Sequence, residues 1–230
     1  MKGLLVRVGI DSTAGHWNAP VNLDTYEFAY VTITETEPLR HGLARLFDEF
    51  RATVSRFKVE MPRYLEGAPT HLDPDFSTLT YGDQGERAKQ VQRLTSGDLL
   101  AFFAGLRDPG ANKLLYGLIG LYVVDEIVSA KTIERNRWPE NAHTRRIPGP
   151  TDIVVRARPK ISGRLERCIP IGEYRAGAYR VRKDLVSAWG GLTVYDGYIQ
   201  RSARLPAFRE TARFYRWFLK HRRSLVQRNN

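Results

Sequence analysis

Residues 96–128, SGDLLAFFAGLRDPGANKLLYGLIGLYVVDEIV, include the longest apolar run of the chain, LLYGLIGLYVV at 114–124. SGDLLAFFAGLR at 96–107 reads as a strand entered by a turn, and DPGAN at 108–112 sets Pro and Gly in the order that turns prefer. The segment 114–128 then reads as a second, longer strand, with Gly117 and Gly120 as bend or bulge points. Together they predict a hairpin of strands buried for most of their length. The apolar run is also too short to span a bilayer.

Working outward, GLLVRVGI at 3–10 reads as a buried strand carrying one charge, Arg7. GIDSTAGHWNAPVN at 9–22 is a loop leaving the end of that strand, and EFAYVTIT at 27–34 is a second strand. Pro38 opens a predicted helix, with Leu39, Leu43, Leu46, Phe47, Phe50, Val54 and Phe57 on one face. Residues 61–85 read as an extended polar loop, and 86–94 as a short helix. A second polar loop covers 135–152, a strand ends at Pro159, and short strands follow in 163–172 and 177–183. KDLVSAWGG starts a helix capped by two glycines. LPAFRETARFYRWFLKHRR at 205–223 predicts a long amphipathic helix. Strands and helices alternate without a βαβ series, which predicts one α+β domain over 1–230 around a mixed, strongly bent sheet.

The chain holds 36 Lys/Arg and 25 Asp/Glu, a net charge of +11. Residues 1–153 carry 18 basic against 20 acidic groups, and residues 154–230 carry 18 against 5. A basic last third suits a polyanion, either DNA or a nucleotide, with RNA also admitted. On the C-terminal helix Arg209, Arg213, Arg216, Lys220 and Arg223 follow spacings of 4, 3, 4 and 3, a single cationic stripe able to run along phosphates. Phe208, Ala212, Tyr215, Phe218 and Leu219 are expected to face the core. One cysteine, Cys168, rules out an internal disulfide and a multi-cysteine zinc site, and its apolar setting predicts an inert core thiol. The N-terminus lacks the features of a signal peptide, and the expectation is a cytoplasmic protein with no membrane partner.

Three polar stretches could carry chemistry. HLDPDFSTLTYGDQG at 71–85 has no Lys or Arg and holds His71, Asp73, Asp75 and Asp83. In an extended segment residues 71, 73 and 75 face one way, so their side chains could converge as a metal site or an acid–base group. Asp-Pro and Gly-Asp are equally good turn formers. The 9–22 loop offers Asp11 as a base or nucleophile, Trp17 to stack on a base and Asn18 to hydrogen-bond a base edge. NAHTRR at 141–146 offers His143 as a proton donor, with Arg145 and Arg146 for a phosphate. Each is also compatible with an ordinary loop or turn. No dinucleotide fingerprint, Walker A loop or nucleophile elbow is present.

The strand–turn–strand pattern after Gly97-Asp98 resembles the barrels of PUA, ASCH and EVE proteins, which implies a partial PUA-like barrel. A broader resemblance spans residues 3–220. VRVGIDSTAGHWNAPVN with EFAYVTI, HLDPDFSTLTYGD with LTSGDLLAFFAGLR, and ENAHTRR resemble the signatures of the nucleotide modification associated domain family, third type. The resemblance implies an α+β domain of bacterial, archaeal or phage systems that modify bases in DNA or respond to such bases. The matching positions are Asp11, Trp17 and Asn18, then His71, Asp73, Asp75, Tyr81 and Asp83, then His143 and Arg145.

These readings converge on a protein acting on a base or nucleotide in one pocket. Asp11, His71, Asp73, Asp75 and His143 are its candidate catalytic groups. Trp17, Asn18, Tyr81, Arg145, Arg146, Arg209, Arg213, Arg216 and Lys220 are its candidate nucleic-acid contacts. No metal ligands are assigned, and the cofactor and oligomeric state stay open. The alternatives are a non-catalytic reader of a modified base and a metal-dependent nuclease of a restriction or defence system.

Overall fold

The computed structural model describes residues 1–222 and 224–230. In chain order the strands are β1 (Gly3–Arg7), β2 (Ile33–Thr34), β3 (Thr70–His71), β4 (Thr80–Asp83), β5 (Leu99–Arg107), β6 (Leu114–Ser129), β7 (Ile153–Ala157), β8 (Gly163–Pro170), β9 (Gly172–Arg175), β10 (Ala178–Val181) and β11 (Leu225–Val226). The α-helices are α1 (Arg51–Ser55), α2 (Gly85–Val91), α3 (Ala142–Arg145), α4 (Lys183–Ala188) and α5 (Thr211–His221).

The fold is α+β with a mixed main sheet. Its strands run in the order β1-β5-β6-β7-β4, and β8 also pairs with β6 and carries β11. β1 is parallel to β5, and every other ladder in this sheet is antiparallel. β6 is the hub. It pairs with β5 along one edge, with β8 over Gly117–Leu121, and with β7 over Val124–Ser129. The predicted hairpin is present, with a register irregularity between Leu118 and Gly120. The two glycines there permit close approach: a Cβ on Gly117 would lie 2.9 Å from Cys168 Sγ, and one on Gly120 would lie 2.6 Å from the Phe76 ring. Among the described residues the sheet does not close into a barrel, because β1 and β4 lie at opposite ends of its path.

The unbroken apolar character of β5 has a physical cause. Leu100, Phe102, Ala104 and Leu106 point into one core, with Phe47, Phe76, Tyr81 and Tyr122. Leu99, Ala101 and Phe103 point into a second core, with Trp189, Phe214 and Phe218. With both faces covered, no position from Leu99 to Leu106 is left for a polar side chain, and Arg107 falls at the half-buried end of the strand.

Several elements differ from the sequence expectation. The helix predicted from Pro38 begins only at Phe47, as a short 3-10 turn that leads into α1. Before it, Gly42 has a φ of +75°, and the Arg40 N–H donates to Arg145 O, so the chain follows tertiary contacts instead of helical ones. Only Ile33–Thr34 of the predicted 27–34 strand forms a ladder. The 61–85 segment contains β3 and β4, two strands too short for periodicity to reveal. The C-terminal helix has only 11 residues. Pro206 and its neighbours instead run alongside β1, where the Leu5 N–H donates to Pro206 O and the Phe208 N–H to Gly3 O. Thr211, Phe214 and Phe218 form the buried stripe of α5, while Leu219 is exposed. Arg209 precedes α5, and Arg223 lies outside the described residues. Among the described residues no helix is long and apolar enough to cross a membrane.

Cys168 is buried against Gly117, and burial pushes its thiol up to about 12. At pH 8 the native protein should therefore leave a thiol reagent unreacted for as long as it stays folded. It should release one equivalent of thiol product once denatured, followed by absorbance.

Candidate functional site

The polar centre is assembled from segments far apart in sequence. His71 ends β3, Asp73 follows it, and His143 sits in α3. Two groups join them. The Gly82 N–H in β4 donates to both Asp73 oxygens, at 2.8 and 3.0 Å. Asn141 caps α3: its Oδ1 accepts from the His143 N–H at 2.9 Å, and its Nδ2 donates to Asp73 Oδ1 at 3.0 Å. Gly82 has no substitute here, because a Cβ at that position would lie 2.2 Å from His143 Cδ2 and 2.6 Å from Asn141 Oδ1.

Each imidazole is held from behind by a carboxylate. His71 Nδ1 lies 2.6 Å from Glu35 Oε2, and His143 Nδ1 lies 3.0 Å from Asp152 Oδ2. An ionised carboxylate only accepts, so Nδ1 donates in each ring, and in the neutral tautomer this selects the lone pair is on Nε2. Those Nε2 atoms face Asp73 Oδ2 at 4.0 and 3.8 Å. One potential ligand atom from each of His71, Asp73 and His143 lies within 4.8 Å of the other two, so these three residues could hold a metal ion. The rings meet edge to face with centroids 4.9 Å apart. Arg146 completes the rear wall, donating to Asp152 Oδ2 at 2.9 Å and to Gln84 Oε1 at 2.6 Å. Its 3.1 Å approach to His143 Nδ1 reflects two donors sharing Asp152 Oδ2.

The electrostatics separate these carboxylates. Burial pushes the Asp73 carboxyl up to about 7, and the pull of His71 and the bonds from Gly82 and Asn141 offset only part of that. Burial also raises Asp152, but His143 and Arg146 outweigh it and hold the carboxyl down at about 2. Glu35 is likewise raised by burial and brought below its usual value, chiefly by His71. Burial lowers His143, which the Asp152 hydrogen bond opposes.

The cluster forms the floor of a cavity of about 310 Å³ whose walls include Arg7, Arg87, Arg146 and Arg201. Arg7 is 6% exposed; its Nη2 donates to Tyr116 Oη at 2.9 Å and lies 3.0 Å from Asp11 Oδ2. Its Nε and Nη1 are buried without a hydrogen-bond partner among the described residues, and so is Arg146 Nε. Arg201 Nη2 donates to the same Asp11 oxygen at 2.8 Å and to Gly9 O at 2.9 Å. Two guanidinium groups thus share one carboxylate, which leaves a positive excess at the wall.

The structure brings His71, Asp73, His143, Tyr81 and Arg146 to this one cavity. Asp83 also lines it, paired with Arg87, and the other candidate catalytic and nucleic-acid-binding residues lie elsewhere. Asp11 sits behind the wall, where Thr13, Arg201 and Arg7 outweigh burial and keep its carboxyl low. Asn18 is buried and donates to Gly105 O at 2.8 Å, and Trp17 packs against the core. Asp75 turns away: its Oδ2 accepts from Arg145 at 2.6 Å and its Oδ1 from Asn229 at 2.9 Å, with both members of the Asp75–Arg145 pair buried. The predicted alternation stops because β3 ends at His71 and residues 75–80 form a hydrogen-bonded turn. Arg209 and Arg213 donate to Leu192 O and Ala188 O, and Arg213, Arg216 and Lys220 are exposed on α5 outside the cavity. Glu35, Gly82, Asn141, Asp152, Arg87 and Arg201 complete the site without having been assigned a role in it. Arg7 had a visible signal, a charge inside a buried strand, and Gly82 and Asn141 lie within the quoted signature stretches.

Fold and site together define an α+β protein with a two-histidine, one-aspartate cluster beneath an arginine-walled cavity. The chain belongs to the nucleotide modification associated domain 3 family, which it matches over residues 2–199. No curated protein and no solved structure matches it.

Two substitutions separate the cluster from its scaffold. Gly82→Ala drives a methyl into His143 and should destabilise the fold by about 1–3 kcal/mol while displacing the ring, measured by denaturant unfolding and histidine NMR shifts. Asp75→Asn removes the charge paired with buried Arg145 and should cost about 3–5 kcal/mol in the same unfolding assay.

Proposed function

We propose that this protein is an enzyme of a nucleotide- or base-modification system, acting on a phosphate-bearing nucleotide or on a base in DNA. The observation that carries this reading is the cluster itself. Three groups able to bind or move a proton lie within 4.8 Å of each other under four arginines. The family supports the nucleotide context. The cavity is at the small end of the range for ligand sites, enough for one base or sugar phosphate at a time.

In this reading the part-exposed Arg201 guanidinium faces the phosphate, and the buried Arg7 guanidinium adds positive charge behind it. His71, Asp73 and His143 face the reacting atoms. Asp11 positions the two arginines, and Arg213, Arg216 and Lys220 on the exposed face of α5 add sequence-independent attraction to a longer polyanion. A purely reading role is less well supported, because the aromatic residue of the cavity, Tyr81, is 2% exposed and its hydroxyl is bonded to Asp83 and Arg87, leaving no open stacking face.

The test is binding of nucleoside monophosphates and short DNA by calorimetry at several salt concentrations. Arg201→Ala should weaken mononucleotide binding at least about tenfold, as expected for loss of one charge-assisted contact. The triple change Arg213→Ala, Arg216→Ala, Lys220→Ala should weaken DNA binding and flatten its salt dependence while sparing mononucleotides. Absence of nucleotide and DNA binding by the folded protein at low salt would refute the reading.

A further inference from the structure

We propose that His71 Nε2, Asp73 Oδ2 and His143 Nε2 bind one divalent first-row transition-metal ion, with Glu35 and Asp152 orienting the two imidazoles from behind. This inference stands on the cluster's own geometry and does not depend on the substrate being a nucleotide.

Four observations support it. The donor set is two imidazole nitrogens and one carboxylate oxygen, which suits zinc, iron, cobalt or manganese. Each ring presents Nε2 inward because its Nδ1–H is taken by a carboxylate, at 2.6 Å for Glu35 and 3.0 Å for Asp152. That is how metal-bound histidines are usually held, the rear carboxylate fixing both tautomer and orientation. The spacing is close to what an ion requires. The three atoms lie within 4.8 Å of one another, and two pairs lie at 3.8 and 4.0 Å. Ligand atoms on a tetrahedral ion with bonds of about 2.1 Å are roughly 3.4 Å apart, so each side chain needs to move inward by less than about 1 Å.

The charge pattern is the fourth observation. Glu35, Asp73 and Asp152 form three acidic corners around two histidines, while Arg146 is the guanidinium that contacts this group. Asp83 does not add to the excess, since Arg87 neutralises it. With Asp73 ionised as a ligand, a divalent ion offsets the two remaining negative charges, and repulsion among the buried carboxylates then becomes attraction to a shared cation. Asp73 is already oriented for this role: Gly82 and Asn141 hold Oδ1, and Oδ2 faces both Nε2 atoms.

Three protein ligands leave positions open toward the cavity, the pattern of a reactive site rather than of a structural zinc site, which uses four. A water or a substrate oxygen bound there would sit beside the arginine wall. The ion would then polarise that oxygen while the wall holds the anionic part of the same molecule.

The experiment titrates the untagged 230-residue chain, stripped with chelator, with Co(II) and Zn(II) alone. Bound metal is counted by mass spectrometry and the Co(II) visible spectrum is recorded. We expect one ion per chain and a spectrum of mixed nitrogen and oxygen ligation. His71→Ala and Asp73→Asn should abolish stoichiometric binding, and Glu35→Gln should weaken it about 10- to 100-fold. His221→Ala, on the exposed end of α5, should leave binding unchanged. His71 and Glu35 lie at the cavity side of the short β2–β3 ladder, so their variants are read alongside circular dichroism to confirm folding. No stoichiometric binding by the wild-type protein would overturn the inference, and so would binding that survives in folded His71→Ala protein. Because no nucleotide is present, metal binding without nucleotide binding would refute the proposed function alone, and nucleotide binding without metal binding would refute this inference alone.

Discussion

The site depends on one buried carboxylate. Asp73 is reached by the Gly82 N–H from β4, by Asn141 from the start of α3, and by the Nε2 faces of His71 and His143. Those contacts tie the 71–75 segment to the edge of the main sheet and to the loop that carries the second histidine. Without the two neutral donors, a carboxylate so buried would lack the partners that desolvation demands. Without the absent side chain at Gly82, the His143 ring could not lie against the strand. Backbone and side-chain constraints therefore meet at the same place.

Around this centre the charges are layered rather than scattered. Acidic groups line the floor and the space behind the imidazoles, and arginines form the walls, each with part of its hydrogen-bonding capacity engaged. Asp11 is shared by Arg7 and Arg201, and Asp152 by His143 and Arg146. This arrangement separates a cation-seeking floor from an anion-seeking wall within a few ångströms. It suits a substrate with a phosphate at one end and a reacting oxygen or ring at the other.

Much of the framework was legible in the chain. The β5–β6 hairpin, its glycine irregularity, the strand at Gly3–Arg7 and the glycine-capped α4 follow from local pattern, because both-face burial and turn chemistry write themselves into consecutive residues. The helix expected from Pro38 and the length of the C-terminal helix were misjudged for one common reason. In both places apolar residues keep helical spacing while the backbone bonds to a distant segment, Arg40 to Arg145 and residues 206–208 to β1. Spacing records which side chains are buried and says nothing of where the backbone hydrogen bonds go.

For the site, the sequence by itself determined the chemistry on offer: two histidine-bearing polar stretches, an acidic segment without lysine or arginine, and a signature shared with a nucleotide-modification family. Only the tertiary structure decided which of those groups meet. Asp73 and Asp75 are two residues apart, yet one faces the histidines and the other is paired with Arg145 in the interior. Glu35 and Asp152, remote in sequence, stand directly behind the two rings. The physical reason is that a hydrogen-bonded cluster is defined by directions and distances of about 3 Å, and those are set by β-ladder register and helix capping between segments as remote in sequence as those of Glu35 and Arg146.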